Sequence, residues 1–240
     1  MASAPSFRCQ SCEDRGWIVR SDESGVERAL PCDCARRRGS DLGLASARIP
    51  ERYRHCAIQN FGDMKNESLQ RAKMAADEFV RDYPAGGAGL LFSGPCGSGK
   101  THLAVGILKE LIHKHHVGAL YVDCALLIRL LQDSFGSEDL SRFDLLRPVE
   151  SAELLLLDDL GGSKASEWVR DTFAGIINVR YNANRLTLVT TRYPDDGNKP
   201  ADLTLEMQVG AAVRSRLYEM CTTYRLDAAD FRRTVANANH

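Results

Sequence analysis

Charge of one sign is not in excess in this chain of 240 residues: 31 Lys and Arg face 32 Asp and Glu, a net charge of −1. That balance excludes a global basic field as an argument for nucleic-acid binding and leaves only a local basic groove as a route to it. Long apolar runs are also missing. None approaches the roughly 20 residues of a membrane-spanning helix, so no membrane partner is expected. Met1 to Arg8 lacks a basic stretch followed by an apolar one, so a secretory signal is not expected and a cytoplasmic location is. There is no evident internal repeat or long low-complexity tract, so a repeat array is not expected. Apolar residues at 44% and charged residues at 26% are ordinary for a globular protein. The length suits one α/β domain with a smaller module attached.

What is present begins with Gly94-Pro95-Cys96-Gly97-Ser98-Gly99-Lys100-Thr101. It fits G-x-x-x-x-G-K-[ST] at every fixed position, the pattern of a phosphate cradle. The glycines let successive backbone N–H groups turn inward toward phosphate oxygens. Lys100 can reach the β- and γ-phosphates, and the Thr101 hydroxyl can bind Mg²⁺. The context fits the motif. Gly89-Leu90-Leu91-Phe92-Ser93 reads as a buried strand. Thr101 to His113 reads as a helix, because Leu103, Ile107 and Leu111 recur every four residues with Ala104 and Leu108 beside them. Its first turn adds the positive end of a helix dipole. The expectation is a bound nucleoside triphosphate with Mg²⁺.

A second acidic element follows. Leu154 to Leu157 run into Asp158-Asp159-Leu160-Gly161, a buried strand with an acidic tip at the carboxyl edge of a parallel sheet. Asp158 is expected to share the Mg²⁺ with Thr101, and Asp159 to orient the attacking water or accept its proton. Ala119–Asp123 and Leu186–Thr191 read as further strands. Amphipathic helices are expected over 65–83, 125–135 and 166–182. The end of the Leu186–Thr191 strand either brings Thr191 or Arg192 near the γ-phosphate as a sensor or passes into a loop at Pro194-Asp195-Asp196-Gly197. Val213-Arg214-Ser215-Arg216-Leu217 carries arginines that serve either a neighbouring subunit's nucleotide or a surface ion pair.

Four of the eight cysteines fall within the first 34 residues: Cys9, Cys12, Cys32 and Cys34. In a chain expected in the cytosol such a cluster reads as metal binding rather than disulfides. Residues 16–20 and 26–30 read as two short strands joined by a turn at Ser24-Gly25, giving a small four-sulfur zinc ribbon. Reduced thiols and an iron–sulfur cluster are the alternatives. Such a small segment needs the metal to hold its fold, and with all four positions filled its role is docking rather than chemistry. Arg36-Arg37-Arg38 follow, either a solvated face or a contact to nucleic-acid backbone.

These residues resemble the AAA+ ATPases of the DnaC/DnaI helicase-loader and IstB transposition-helper group. The resemblance runs through the cysteine module, Ile49-Pro50-Glu51-Arg52-Tyr53-Arg54, Asn60-Phe61 and the Walker A residues 94–101. It continues through Leu157-Asp158-Asp159-Leu160-Gly161, Ile177-Asn178-Val179-Arg180-Tyr181, Thr190-Thr191, Ser215-Arg216-Leu217 and Asp230-Phe231-Arg232. It implies a P-loop NTPase fold, a parallel sheet flanked by helices, preceded by a zinc-ribbon-like module. The expected boundaries are a cysteine module over 1–45, a linker with an amphipathic helix over 46–85 and an ATPase core over 86–240. The resemblance also implies Mg-dependent ATP hydrolysis, with Lys100, Asp159, Thr191 and Arg216 as catalytic residues. Arg216 becomes an arginine finger offered to a neighbour, with Arg214 as a second candidate. Where the group often reads Thr-Thr-Asn this chain has Arg192. Implied partners are a replicative DNA helicase, or a transposase, together with single-stranded DNA and further copies of the chain in an ATP-dependent oligomer.

Overall fold

The computed structural model describes residues 9–21, 27–62, 65–84, 87–135, 141–195 and 203–233. The expected turn at Ser24-Gly25 lies outside them. The first unit is a two-stranded antiparallel ladder, β1 (Trp17–Ser21) on β2 (Glu27–Pro31), with Val19 opposite Ala29. Helix α1 (Asp33–Ser46) leaves directly from it, with Cys32 at its N-cap. It runs onto the core, where a Cβ on Gly43 would approach Ile112 to 2.8 Å. The sequence pattern missed α1. Gly39, Gly43 and the three arginines blur its apolar stripe.

The core is a five-stranded sheet formed by β3 (Gly89–Ser93), β4 (Ala119–Asp123), β5 (Leu154–Asp158), β6 (Leu186–Thr191) and β7 (Cys221–Arg225). The order is β4-β5-β6-β3-β7, and every pairing is parallel. Parallel strands are covered on both faces, which is why β5 is four consecutive leucines. Leu154 and Leu156 pack toward one face with α1, α2 (Glu67–Asp82) and α3 (Lys100–His115). Leu155 and Leu157 face α4 (Cys124–Asp133), α5 (Arg142–Ser151), α6 (Glu167–Asn182), α7 (Leu205–Val209) and α8 (Ala211–Met220). All four leucines are fully buried.

Local chemistry sets the helix starts. Asn66 caps α2 by accepting from the backbone N–H of Ser68 (2.9 Å) and Leu69 (3.2 Å). Asp123, Ser141 and Ser166 cap α4, α5 and α6 in the same way. Helix α3 differs, for it starts on Gly99 in the left-handed region with no side-chain cap. Its N-terminal donors are left to a ligand.

One buried cation fastens the layers. Arg180 of α6 is 0% exposed. It donates to Thr187 Oγ1 (3.0 Å), Leu186 O (2.6 Å), Val149 O (3.1 Å) and Ala152 O (2.8 Å). It thereby satisfies carbonyls at the C-terminal end of α5 that have no helical partner. Burial lowers its pKa to about 10.

Candidate nucleotide site

The sheet order puts β6 between β3, which leads into the phosphate loop, and β5, which ends in the acidic pair. Three strand ends therefore meet at one carboxyl edge, where open α/β sheets bind ligands. A cavity of about 290 Å³ lined by Phe79, Tyr83, Glu153 and Arg185 lies at the opposite, amino edge.

The loop is built tightly. At Gly97 (φ +77°) a Cβ would lie 1.7 Å from the Asp230 carboxylate, and Phe231 N–H donates to the Gly97 carbonyl (3.1 Å). At Gly99 (φ +97°) it would lie 2.7 Å from the Phe61 ring. The loop is thus held from outside by the segment after β7 and by the segment before α2. Lys100 is only 8% exposed and donates to the carbonyls of Gly94 and Pro95, both at 2.7 Å. Burial pulls its pKa below the ordinary lysine value. Ser98 Oγ is buried without a hydrogen-bond partner, an orphan within the cradle. An uncapped helix start, a glycine loop and an orphaned hydroxyl are the donor set a polyphosphate needs.

Asp158 is held by three hydroxyls. Thr101 Oγ1 (2.7 Å) and Thr190 Oγ1 (2.6 Å) donate to one carboxylate oxygen, and Tyr121 OH (2.8 Å) donates to the other. Burial, reinforced by Asp158, raises the Tyr121 phenol above its usual range, so it stays a donor. Thr101 and Asp158 touch, as a shared Mg²⁺ would require. Asp159 follows in the left-handed region (φ +57°), its N–H on Thr190 Oγ1 (2.9 Å). Its carboxylate is gripped by Arg192, with Nε to Oδ1 at 3.1 Å and a second guanidinium nitrogen paired with Oδ2. The hydrogen bond to Asp159 raises the Arg192 pKa further.

The structure redistributes the sensor expectation. Thr191 is fully buried, and its hydroxyl donates to Leu160 O (2.8 Å), away from the carboxylates. Alternation along the strand brings Thr190 to the acidic pair instead. Arg214 also departs from its expectation. It is 1% exposed, pairs with Asp195 at 2.5 Å and stacks over Tyr218 at 3.4 Å. The ion pair and the ring hold it inside its own chain, although its guanidinium nitrogens make no hydrogen bond among the described residues. Arg216 is half-buried on α8, donating to Ala212 O (3.1 Å), with its guanidinium 5.7 Å from the Tyr181 ring. The structure does not bring it to this chain's own acidic pair through any recorded contact among the described residues. Cys96 is exposed on the loop.

At the other end, Cys9, Cys12, Cys32 and Cys34 gather with their ligand atoms within 4.8 Å of one another. Cys9 and Cys32 sulfurs are 3.7 Å apart, and Cys12 and Cys34 sulfurs 3.3 Å. Zinc–sulfur bonds of about 2.3 Å at tetrahedral angles put sulfurs about 3.8 Å apart. Gly16 N–H donates to Cys12 Sγ (3.3 Å), an outer contact of the kind that orients a ligand. The backbone N–H of Cys12 is the main cause holding the Cys9 thiol down to about 7. None of the four cysteines is in a disulfide, and the set can hold zinc.

Fold and site together define a P-loop NTPase of the AAA+ type, with the sheet order and the two Walker elements in place. The profile of the IstB-like ATP binding proteins matches residues 36–233. The chain belongs to that family. It is 25% identical over 236 residues to the phage-like element PBSX protein XkdC of Bacillus subtilis, covering 93% of this chain and 83% of XkdC. It is 26% identical over 139 residues to the replicative helicase loader DnaC of Escherichia coli, covering 58% of this chain and 56% of DnaC. A crystal structure of the DnaC helicase loader superposes with a TM-score of 0.63 at 34% identity, covering 74% of this chain and 99% of that one. No helix among the described residues is long and apolar enough to cross a membrane.

Proposed function

We propose that this chain is an ATP-hydrolysing helicase loader, which assembles with further copies of itself on single-stranded DNA and delivers a replicative helicase to it. The observation that carries this reading is the 34% identity to the DnaC helicase loader across nearly that whole structure, combined with a complete acidic pair at the phosphate loop.

In this reading residues Gly94 to Thr101 bind the triphosphate, and Lys100 leaves the Gly94 and Pro95 carbonyls for the β- and γ-phosphates. Mg²⁺, where bound by Thr101 and Asp158, supplies charge neutralisation at the transferring phosphoryl group. Asp159 orients the water that attacks the γ-phosphorus, and ADP leaves with its new charge on the β-phosphate. Arg192 holds Asp159 until the γ-phosphate competes for its guanidinium, so the carboxylate is freed when a triphosphate is present. Arg216 swings off Ala212 to a neighbour's phosphates, which makes turnover depend on assembly.

Two surfaces support the partners. Phe135, just after α4, and Phe143, in the first turn of α5, are 61% and 65% exposed, and Arg142 lies 5.8 Å from the Trp168 ring. Aromatic faces with a cation are the means by which single strands are gripped without reading sequence. On the cysteine module Trp17 and Val19, alternate residues of β1, are 47% and 50% exposed. That apolar face suits a protein partner, the helicase.

The second reading, a transposition helper that binds duplex DNA and a transposase, is favoured by the IstB-like family profile. Fluorescence anisotropy with single-stranded and duplex oligonucleotides, with and without ATP, separates the two. A loader gains affinity for the single strand when ATP is added, and Phe143→Ala removes that gain. ATP-dependent preference for duplex would overturn the loader reading in favour of the helper.

A further inference from the structure

Apart from the four N-terminal cysteines, one other group of metal-ligating side chains gathers among the described residues. His55, Cys56 and His102 each place one ligand atom within 4.8 Å of the others. They come from distant parts of the chain. His55 and Cys56 follow a single 3₁₀ turn at Glu51–Tyr53, whereas His102 stands on the first turn of α3, next to Thr101. Cys56 is 2% exposed and His55 lies open at the surface. His55 Nε2 and Cys56 Sγ are 3.9 Å apart. Nitrogen and sulfur ligands on one tetrahedral zinc stand about 3.6 Å apart, given bonds of about 2.0 and 2.3 Å.

The hydrogen bonds around His102 fix its tautomer. Asn60 Nδ2 donates to His55 O (2.9 Å), and Asn60 Oδ1 accepts from Ala57 N–H (3.0 Å), so the amide orientation is determined. His102 Nε2 sits 2.7 Å from that oxygen and 3.1 Å from Ala57 O. Both neighbours are acceptors only, so Nε2 carries the proton. The lone pair of the neutral imidazole is then on Nδ1. A ring that donates one N–H to carbonyl oxygens while its other nitrogen stays free is the usual state of a metal-ligating histidine. The segment is also anchored by Lys109, whose ammonium donates to the carbonyls of Arg54 (2.5 Å) and Cys56 (2.8 Å).

We propose that His55, Cys56 and His102 form a second zinc site, which ties the segment before α2 to the first turn of the phosphate-loop helix. Two imidazoles and one thiolate suit zinc among the common divalent metals, with a water in the fourth position. The tie has a consequence for the nucleotide site. The same segment carries Phe61, which walls the loop at Gly99 and lies 5.8 Å from the His102 ring. A metal that fixes this wall to α3 makes zinc and nucleotide support each other's binding, and the coupling is reciprocal.

Elemental analysis of the full chain after zinc loading and desalting tests the proposal. The expected result is two zinc ions per chain, falling to one in His55→Ala and in Cys56→Ser. His55 is exposed, so His55→Ala stays readable if Cys56→Ser fails to fold. Cobalt loading of a chain with Cys9, Cys12, Cys32 and Cys34 replaced by serine isolates the site. It should give four-coordinate cobalt absorption with a single-thiolate band that Cys56→Ser removes, and His55→Ala should weaken cobalt binding at least about tenfold. One zinc in the wild-type chain, or cobalt binding unaltered by His55→Ala, would overturn the proposal.

Discussion

The cysteine module and the ATPase core are two opposite solutions to holding a short chain together. In the core, each leucine of β5 is sealed between layers of helix, and Arg180 satisfies carbonyls at the end of α5. In the module, β1 and β2 pair with each other alone, and Trp17, Val19 and Leu30 stay 47%, 50% and 39% exposed. Its buried residues include the thiols Cys12 and Cys32. Apolar burial carries one region; in the other, the four gathered sulfurs can hold a metal that would supply the missing cross-link. In the proposed reading the difference also divides the labour: a rigid sheet edge positions reacting groups, and the ribbon with its bare apolar face, once metal-bound, would serve docking.

The contrast can be broken in several ways. The largest effect should come from removing zinc, because structural zinc contributes on the order of 10 kcal/mol to folding in small modules. A strong chelator should abolish amide-exchange protection over residues 9–34 while β3, β5 and β6 keep theirs; protection that survives there would break the comparison. Next comes Arg216→Ala, which should keep ATP affinity and lower assembly-dependent turnover by roughly 10³–10⁵-fold. Equal turnover by the variant would exclude a finger offered in trans. In the core, Leu156→Ala should cost about 2–5 kcal/mol in denaturant unfolding, and Arg180→Ala at least about 3 kcal/mol through the carbonyls it strands. Neither should change the zinc held by the four cysteines, and a loss of that metal would mean the two regions fold as one. Thr190→Val should have the smallest effect. It removes one of three hydroxyls from Asp158 and also the acceptor of the Asp159 N–H, and should lower turnover by about ten- to a hundredfold, two ordinary hydrogen bonds' worth.

Much of this was legible in the sequence because it is local. The glycine loop and the leucine strand with its acidic tip are each written within a few residues. The cysteine pairs were legible by spacing, although Cys32-x-Cys34 is explained only by α1, which begins between them. Other elements had no local signature. Helix α5 carries Pro148 in its interior and buries only Val149 fully. Strand β7 is an edge strand of polar residues, Cys-Thr-Thr-Tyr-Arg. The site residues that went unseen depend on strand neighbours. Tyr121 reaches Asp158 only because β4 lies beside β5. Thr190 rather than Thr191 meets the acidic pair because of the pleat. The closeness of Asp230 to Gly97 rests on β7 pairing with β3, which returns the last described segment to the loop. Arg192 was visible as a departure from the family pattern, but its grip on Asp159 was not.

In the proposed reading this ATPase carries a helicase, docked through the four-cysteine module. Sedimentation velocity of the full chain mixed with the replicative helicase of its own organism, in ATP, tests it most directly. The zinc-loaded chain should co-sediment with the helicase, and the chain with Cys9, Cys12, Cys32 and Cys34 replaced by serine should not, while both bind ATP equally. Separate sedimentation of the intact chain and the helicase, or complexes unaffected by loss of the four cysteines, would exclude helicase docking through this module.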